Sequence, residues 1–198
     1  MNPLTTSIRA GDTIENPVTG EIVHFRRTAA ETGGELVEID VTVLPGGGVA
    51  ASHVHPFQME RFEVLEGTFE FRRGRRTLVA TAGDVVTVEA GTVHSFRNVG
   101  DGPARFVTEV RPALQFERFL ETMFGLAADG KTNRKGMPNP LRLAVIANAH
   151  FDDLRMPYVP AFAQKAALAT GAALGRLVGY EPTYEPGAGA EPALAPAG

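Results

Sequence analysis

The chain has no cysteine. That excludes disulfides, thiolate metal sites and cysteine nucleophiles. It also lacks a run of about 18 residues that is strongly apolar and uncharged, so no membrane span is expected. The first twelve residues carry no apolar stretch after a basic start, so no secretory signal is expected and the cytoplasm is the default compartment. Positive charge is not in excess. Nineteen Lys and Arg stand against 23 Asp and Glu, a net charge of −4. This balance argues against nucleic acid and against an anionic membrane as general partners. There is no convincing internal repeat.

What is present is ordinary for a globular protein: 198 residues, 43% hydrophobic and 21% charged. That length supports one core, or one core with an appendage. Glycine (22 residues) is densest before position 112, among many valines. Such a stretch reads as short strands joined by tight turns. Residues 1–20 read as an arm or a short edge strand. Residues 21–27 form a candidate strand whose His24 reads as a surface or hydrogen-bonded structural residue. Residues 35–44 alternate cleanly, with Val37, Ile39, Val41 and Val43 on one face. The glycines of Pro45-Gly46-Gly47-Gly48 then make a turn; no Lys-Ser/Thr and no helix follow, so this is not a phosphate loop. Further short strands with intervening turns continue to Arg111-Pro112. The run of eight or nine strands predicts an antiparallel barrel or jelly roll. The cluster Arg72-Arg73-Gly74-Arg75-Arg76 reads as a solvated hairpin tip.

After Pro112 the pattern changes to helical spacing. Three helices are expected, over 114–128, 141–154 and 157–179. They pack on the barrel or on a second subunit, as a lid or a dimer contact. Residues 181–198 are rich in Pro, Ala, Gly and Glu and are expected to be disordered. The expected organisation is therefore a β-barrel with an N-terminal arm over 1–112, a helical extension over 113–180 and a tail over 181–198.

The residues with chemistry lie in the barrel. His53-Val54-His55 puts two imidazoles on one face of an extended strand, because side-chain direction repeats every two residues. Glu60 shares its strand face with Phe62 and Val64, and an inward carboxylate among apolar residues is costly unless paired or bound to a cation. His94 is the candidate third imidazole. Three imidazoles and a carboxylate make a mixed nitrogen–oxygen site for one divalent transition metal ion, whether Fe, Mn, Ni, Co or Zn. Six-coordinate ions would keep about two positions open. Phe57, Met59, Phe62, Phe69, Phe71, Phe96 and Phe106 either line a cavity or simply fill the core. Gln58 either reaches a substrate or sits on a surface loop. Glu89 either serves as a base or is a solvated turn residue.

These residues resemble the cupins. Gly47, His53, His55, Glu60 and Gly67 match the family's first motif at every position. Gly83, Gly91, His94 and Asn98 match its second, with Glu89 standing where the family has proline. The resemblance covers about residues 35–112 and leaves the helical part unmatched. It implies a cupin jelly-roll barrel and a metal held by His53, His55, Glu60 and His94. It makes a dioxygenase-type oxidoreductase with quercetinase-like chemistry the leading function, with Glu60 also able to accept a proton. The alternatives are a metal-dependent isomerase or decarboxylase, and a non-catalytic module that binds or senses a small ligand. A small molecule is the expected partner, with a homodimer as the assembly.

Overall fold

The computed structural model describes residues 6–187. Nine strands make two antiparallel sheets. The larger has six strands: β1 (Thr13–Asn16), β2 (Glu21–Arg27), β3 (Val37–Val43), β9 (Ala104–Arg111), β4 (Met59–Glu66) and β7 (Val85–Val88), in that spatial order. The smaller has β6 (Arg76–Thr81), β5 (Thr68–Arg73) and β8 (His94–Asn98). This is the expected jelly roll. Three helices follow: α1 (Phe116–Ala128), α2 (Pro140–Ala149) and α3 (Ala161–Leu177).

Period-two alternation decides what faces inward. On β3, Val37, Ile39, Val41 and Val43 are all buried. Asp40, on the opposite face, is held by the guanidinium of Arg105, with Nε to Oδ1 at 2.7 Å. Between the sheets Phe62, Phe69, Phe71 and Phe106 are almost fully buried. Their rings meet one another and Phe96 at centroid distances of 5.0–6.4 Å, many near edge-on.

Two glycines are dictated by close approach. Gly48 crosses β8, and a Cβ there would collide with the Phe96 carbonyl oxygen. Gly67 turns β4 into β5 at φ +76°, and a Cβ would strike Ala104. Asn98 ties the second motif down: its Nδ2 donates to the carbonyls of Val43 (2.9 Å) and Gly102 (2.8 Å), and its Oδ1 accepts from the Gly100 N–H.

Several expectations are corrected. The histidine segment is not a regular strand; it makes single bridges, His53 with His94 and Val54 with Arg155. The helix expected to start at Leu114 starts at Phe116, because Leu114 takes a left-handed φ of 46°. The second helix ends at Ala149 rather than 154, since His150 leaves helical geometry and turns inward. The third begins at Ala161, not 157: residues 157–159 make a turn in which Tyr158 takes a left-handed φ of 65°. Residues 181–187, expected to be disordered, return to α1, where Tyr184 donates its backbone N–H to Thr122 Oγ1 and Gly187 donates to Asp129. The remainder of that tail, 188–198, lies outside the described residues, as do residues 1–5 of the expected arm.

The helices differ in their attachment. α1 puts Phe116, Met123, Phe124 and Leu126 into the same apolar core as the sheets. α3 instead packs on α2, where Gly171 and Gly175 admit Ala144 and Val145 at close range. Among the described residues no helix is long and apolar enough to cross a membrane.

Candidate metal centre

His53, His55, Glu60 and His94 meet inside the jelly roll. One ligand atom from each lies within 4.8 Å of the others. Three separate pieces of chain deliver them. The bridge between His53 and His94 is a reciprocal pair of backbone hydrogen bonds, each 3.0 Å, and brings their rings to 4.3 Å. His55 follows two residues on, its ring 4.9 Å from that of His53. Glu60 is the second residue of β4, lying between Val88 and Val110 on its neighbours. All four are at least nine-tenths buried.

The outward ring nitrogens settle the tautomers. His53 Nδ1 lies 3.0 Å from the Ala51 carbonyl and His94 Nδ1 lies 3.0 Å from the Thr92 carbonyl. His55 Nδ1 faces the Asp153 carbonyl at 2.5 Å and Gln58 Oε1 at 3.1 Å. Every one of these partners only accepts, so each Nδ1 must carry the proton. Each Nε2 then presents a lone pair inward. Gln58 is oriented in turn, because its Nε2 donates to the carbonyls of Pro112 and Ala113, both at 3.0 Å.

The centre is thus made of acceptors. Three imidazole lone pairs and a carboxylate face one another with no donor among them. Glu60 Oε2 has no hydrogen bond of usable geometry, although His94 Nε2 approaches to 2.5 Å; Glu60 Oε1 lies 3.8 Å from His55 Nε2. Such a set is repulsive without a positive charge at its middle. Burial alone would raise the Glu60 carboxyl, but the imidazoles outweigh it and bring it to about 2. Burial, with the neighbouring His94 and His55, takes His53 down to about 3. His94 moves up instead: burial opposes protonation, but Glu60 beside it wins. In the metal-free protein a proton shared with Glu60 therefore stands in for a cation. The cluster fits a divalent metal site in donor type, tautomer and protonation.

A cavity of about 80 Å³ adjoins the cluster. Phe62, Phe96, Phe106, Phe116, Phe119 and Leu154 supply much of its apolar wall. Phe69 and Phe71 are core, and Phe57 is exposed. The helical part therefore covers the cavity, through α1 and the connection after α2. Glu89 is exposed and lines nothing here, and His24 is a surface residue 3.1 Å from Thr13 Oγ1.

Reading the residues in sequence missed Asp153 and Glu21, and gave Gln58 a substrate contact or a surface loop instead of its place beside His55. Gln58 is 1% exposed and orients His55. Asp153 orients it through its carbonyl while its carboxylate accepts from the Gln115 N–H (2.7 Å) and meets His150 Nδ1 (3.2 Å). Glu21 lines the cavity from β2. Its signal was available, since Glu21, Val23 and Phe25 share one alternating face.

No curated protein matches the chain. Among solved structures it is similar to a conserved protein with a double-stranded β-helix domain from Klebsiella pneumoniae, at 32% identity, covering 41% of this chain and 66% of that one with a TM-score of 0.39. It is also similar to a predicted oxalate decarboxylase from Thermotoga maritima (20% identity, 54% and 99% covered, TM-score 0.47) and to KdgF from Halomonas sp. (15%, 53% and 92%, TM-score 0.45). The family model described as "Cupin domain" matches residues 39–110, so the span that holds both halves of the histidine–glutamate cluster is similar to a cupin domain.

Proposed function

We propose that the protein is a metal-dependent enzyme acting on a small oxygen-bearing organic molecule, with dioxygenase-type oxidoreduction as its leading reaction. The observation that carries this reading is the set of three pinned imidazoles whose Nε2 lone pairs meet the Glu60 carboxylate with no donor between them. His53, His55, Glu60 and His94 are assigned as ligands. A divalent ion held there supplies Lewis acidity and open positions for substrate oxygens or O2. The chain supplies the rest. The Nδ1 acceptors keep the imidazoles neutral and fixed in direction. Glu60, ionised at neutral pH, is ready as a ligand and as a proton acceptor, not as a donor. The phenylalanine walls exclude water and hold an apolar body.

Cavity size narrows the substrate. Its 80 Å³ accommodates roughly five to eight water-sized atoms. That favours a small diketone or a compound near catechol in size over a three-ring flavonol, which would require Phe116, Phe119 and Leu154 to move aside. A second reading, a metal-dependent isomerase or decarboxylase, is favoured by Glu21, a carboxyl in the same cavity raised by burial to about 7 and so able to give or take a proton near neutrality.

The test is metal analysis of protein purified without chelator, followed by oxygen uptake with small diketones, catechols and a flavonol. Stoichiometric metal with uptake on the small compounds supports the proposal. Protein without metal would sink the enzyme reading. Metal without uptake moves weight to the isomerase or decarboxylase, or to a non-catalytic ligand-binding role.

A further inference from the structure

The cavity has a second polar end that the metal cluster does not use. Glu21 opens β2 on the inward face, 8% exposed, next to Val23 and Phe25 on the same face. Its position in the sheet is far from the ligands. Glu21 pairs with Val43 on β3, whereas Glu60 lies across β9 from Val37, through Val110. Val37 and Val43 are the two ends of β3, so Glu21 and Glu60 line the one cavity from positions level with opposite ends of that strand. Between them the wall is apolar apart from Thr108, whose buried hydroxyl has no hydrogen-bond partner. Burial dominates the environment of Glu21, and the nearby Thr19 hydroxyl, itself without a hydrogen bond of usable geometry, opposes it only weakly.

A buried polar group must be satisfied in whatever complex fills the cavity. Water can serve Glu21 in the free protein. A ligand that expels this water without replacing its hydrogen bond leaves the carboxyl stranded, and a site of this kind discriminates strongly against analogues that lack the matching group.

We propose that Glu21 is a specificity-determining residue that hydrogen-bonds a hydroxyl or carbonyl at the end of the substrate remote from the metal. The substrate class is then a short molecule with oxygens at both ends: a chelating pair for the ion, an apolar middle against Phe62 and Phe106, and a neutral oxygen for Glu21. This rests on the metal-site reading above for its chelating end only.

Hydroxamates carry a chelating pair of oxygens and so make direct probes. The pair is 4-hydroxybutanohydroxamic acid and pentanohydroxamic acid, which differ by a hydroxyl in place of the terminal methyl. Both are titrated calorimetrically into the Ni²⁺-loaded protein, along with homologues one carbon shorter and longer. The expected result is at least a tenfold preference for the hydroxyl-ended probe at one of these lengths. Glu21→Leu should abolish that preference while keeping one metal per chain, and Glu21→Gln should keep part of it. Equal affinities in the wild type at every length, or a preference that survives Glu21→Leu, would overturn the proposal. Metal content is measured first, so failure of the ligand assignment is seen separately. If no metal is held, the probe becomes 1-butanol and the readout is the carboxyl infrared band that Glu21→Gln removes. A shift of that band on adding 1-butanol supports the proposal, and an unmoved band overturns it.

Discussion

The backbone carbonyl of Asp153 accepts the Nδ1 proton of His55 at 2.5 Å, across 98 positions of chain. Two residues further on, Arg155 exchanges backbone hydrogen bonds of 2.8 and 3.0 Å with Val54. The connection between α2 and α3 thus braces the histidine segment, which has no strand ladder of its own. The helical part of the chain is a component of the candidate metal centre as well as its cover.

Metal affinity should therefore depend on Asp153. Asp153→Ala removes the carboxylate that anchors the connection to Gln115 and His150. The carbonyl remains in sequence but loses its fixed place, and the His55 ring is left with Gln58 alone to orient it. The expected effect is a ten- to hundredfold weaker metal affinity, about the size found when an outer partner of a ligand is removed. Chelator competition on the folded variant measures it. An unchanged affinity would show that the brace has no bearing on the ligands.

The four-ligand assignment separates two histidines on strands of different sheets. His94→Ala removes the only ligand supplied by β8 and should lose most of the bound metal. His24→Ala, at a surface residue bonded to Thr13, should lose none. Metal-to-protein ratios after gel filtration decide between them, and equal ratios in both variants would count against the site.

How far the sequence discloses this site follows from the range over which each residue acts. Glu60 is legible because alternation alone sets it beside Phe62 and Val64, on a face where an uncompensated charge is costly. The His-x-His segment is legible as a pair on one face, yet its bridging backbone is not, since the partner Arg155 lies beyond two helices. Glu21 obeys the same alternation as Glu60, but it stands at the first position after a turn, where a polar residue looks unexceptional. Asp153 cannot be found by residue type, because what reaches His55 is a carbonyl that every residue possesses. Helical periodicity continues past Ala149, so only the inward turn of His150 shows why α2 stops there.

Loading with metal should stabilise the fold, and more so at higher pH. Ligand at a hundred times its Kd is worth about 2.7 kcal/mol. The proton that His94 takes in the metal-free protein competes with the ion, so affinity falls as pH drops through the raised His94 value. In the metal-free protein the His94 contribution has the opposite sense. It is present below the unfolded value of 6.5 and disappears as pH rises through the folded one. The gap in Tm between loaded and stripped protein should therefore widen from pH 6 to pH 8. A gap that is constant with pH would argue that no ligand exchanges a proton for the ion.

The outer side of α3 bears on assembly. Tyr158, just before it, and Phe162 and Leu177 on it are at least four-fifths exposed. Exposed large apolar side chains favour association, and the homodimer expected from the sequence would form through this region. Light scattering should give twice the 21.1 kDa chain mass, and Phe162→Asp with Leu177→Asp should return the monomer without changing metal content. A wild type that is monomeric at tens of micromolar concentration would refute the assignment.

Glu21 gives the sharpest pH signature. Burial raises its carboxyl from 4.5 to about 7, against the weaker pull of Thr19. Below pH 4.5 the group is protonated in both folded and unfolded chains and has no effect on the balance. Between 4.5 and 7 the unfolded chain ionises while the folded one does not, so stability falls with rising pH. Above 7 the loss levels off at about 3 kcal/mol, at 1.36 kcal/mol per pKa unit. Glu21→Gln cannot ionise and escapes this loss. In metal-free protein its urea midpoint should match the wild type near pH 4.5 and exceed it at pH 8, with most of the divergence between those values. Stability curves that run parallel across the range would show that Glu21 is solvated or paired in solution, and that the far end of the cavity is not the apolar, unpartnered place that the fold describes.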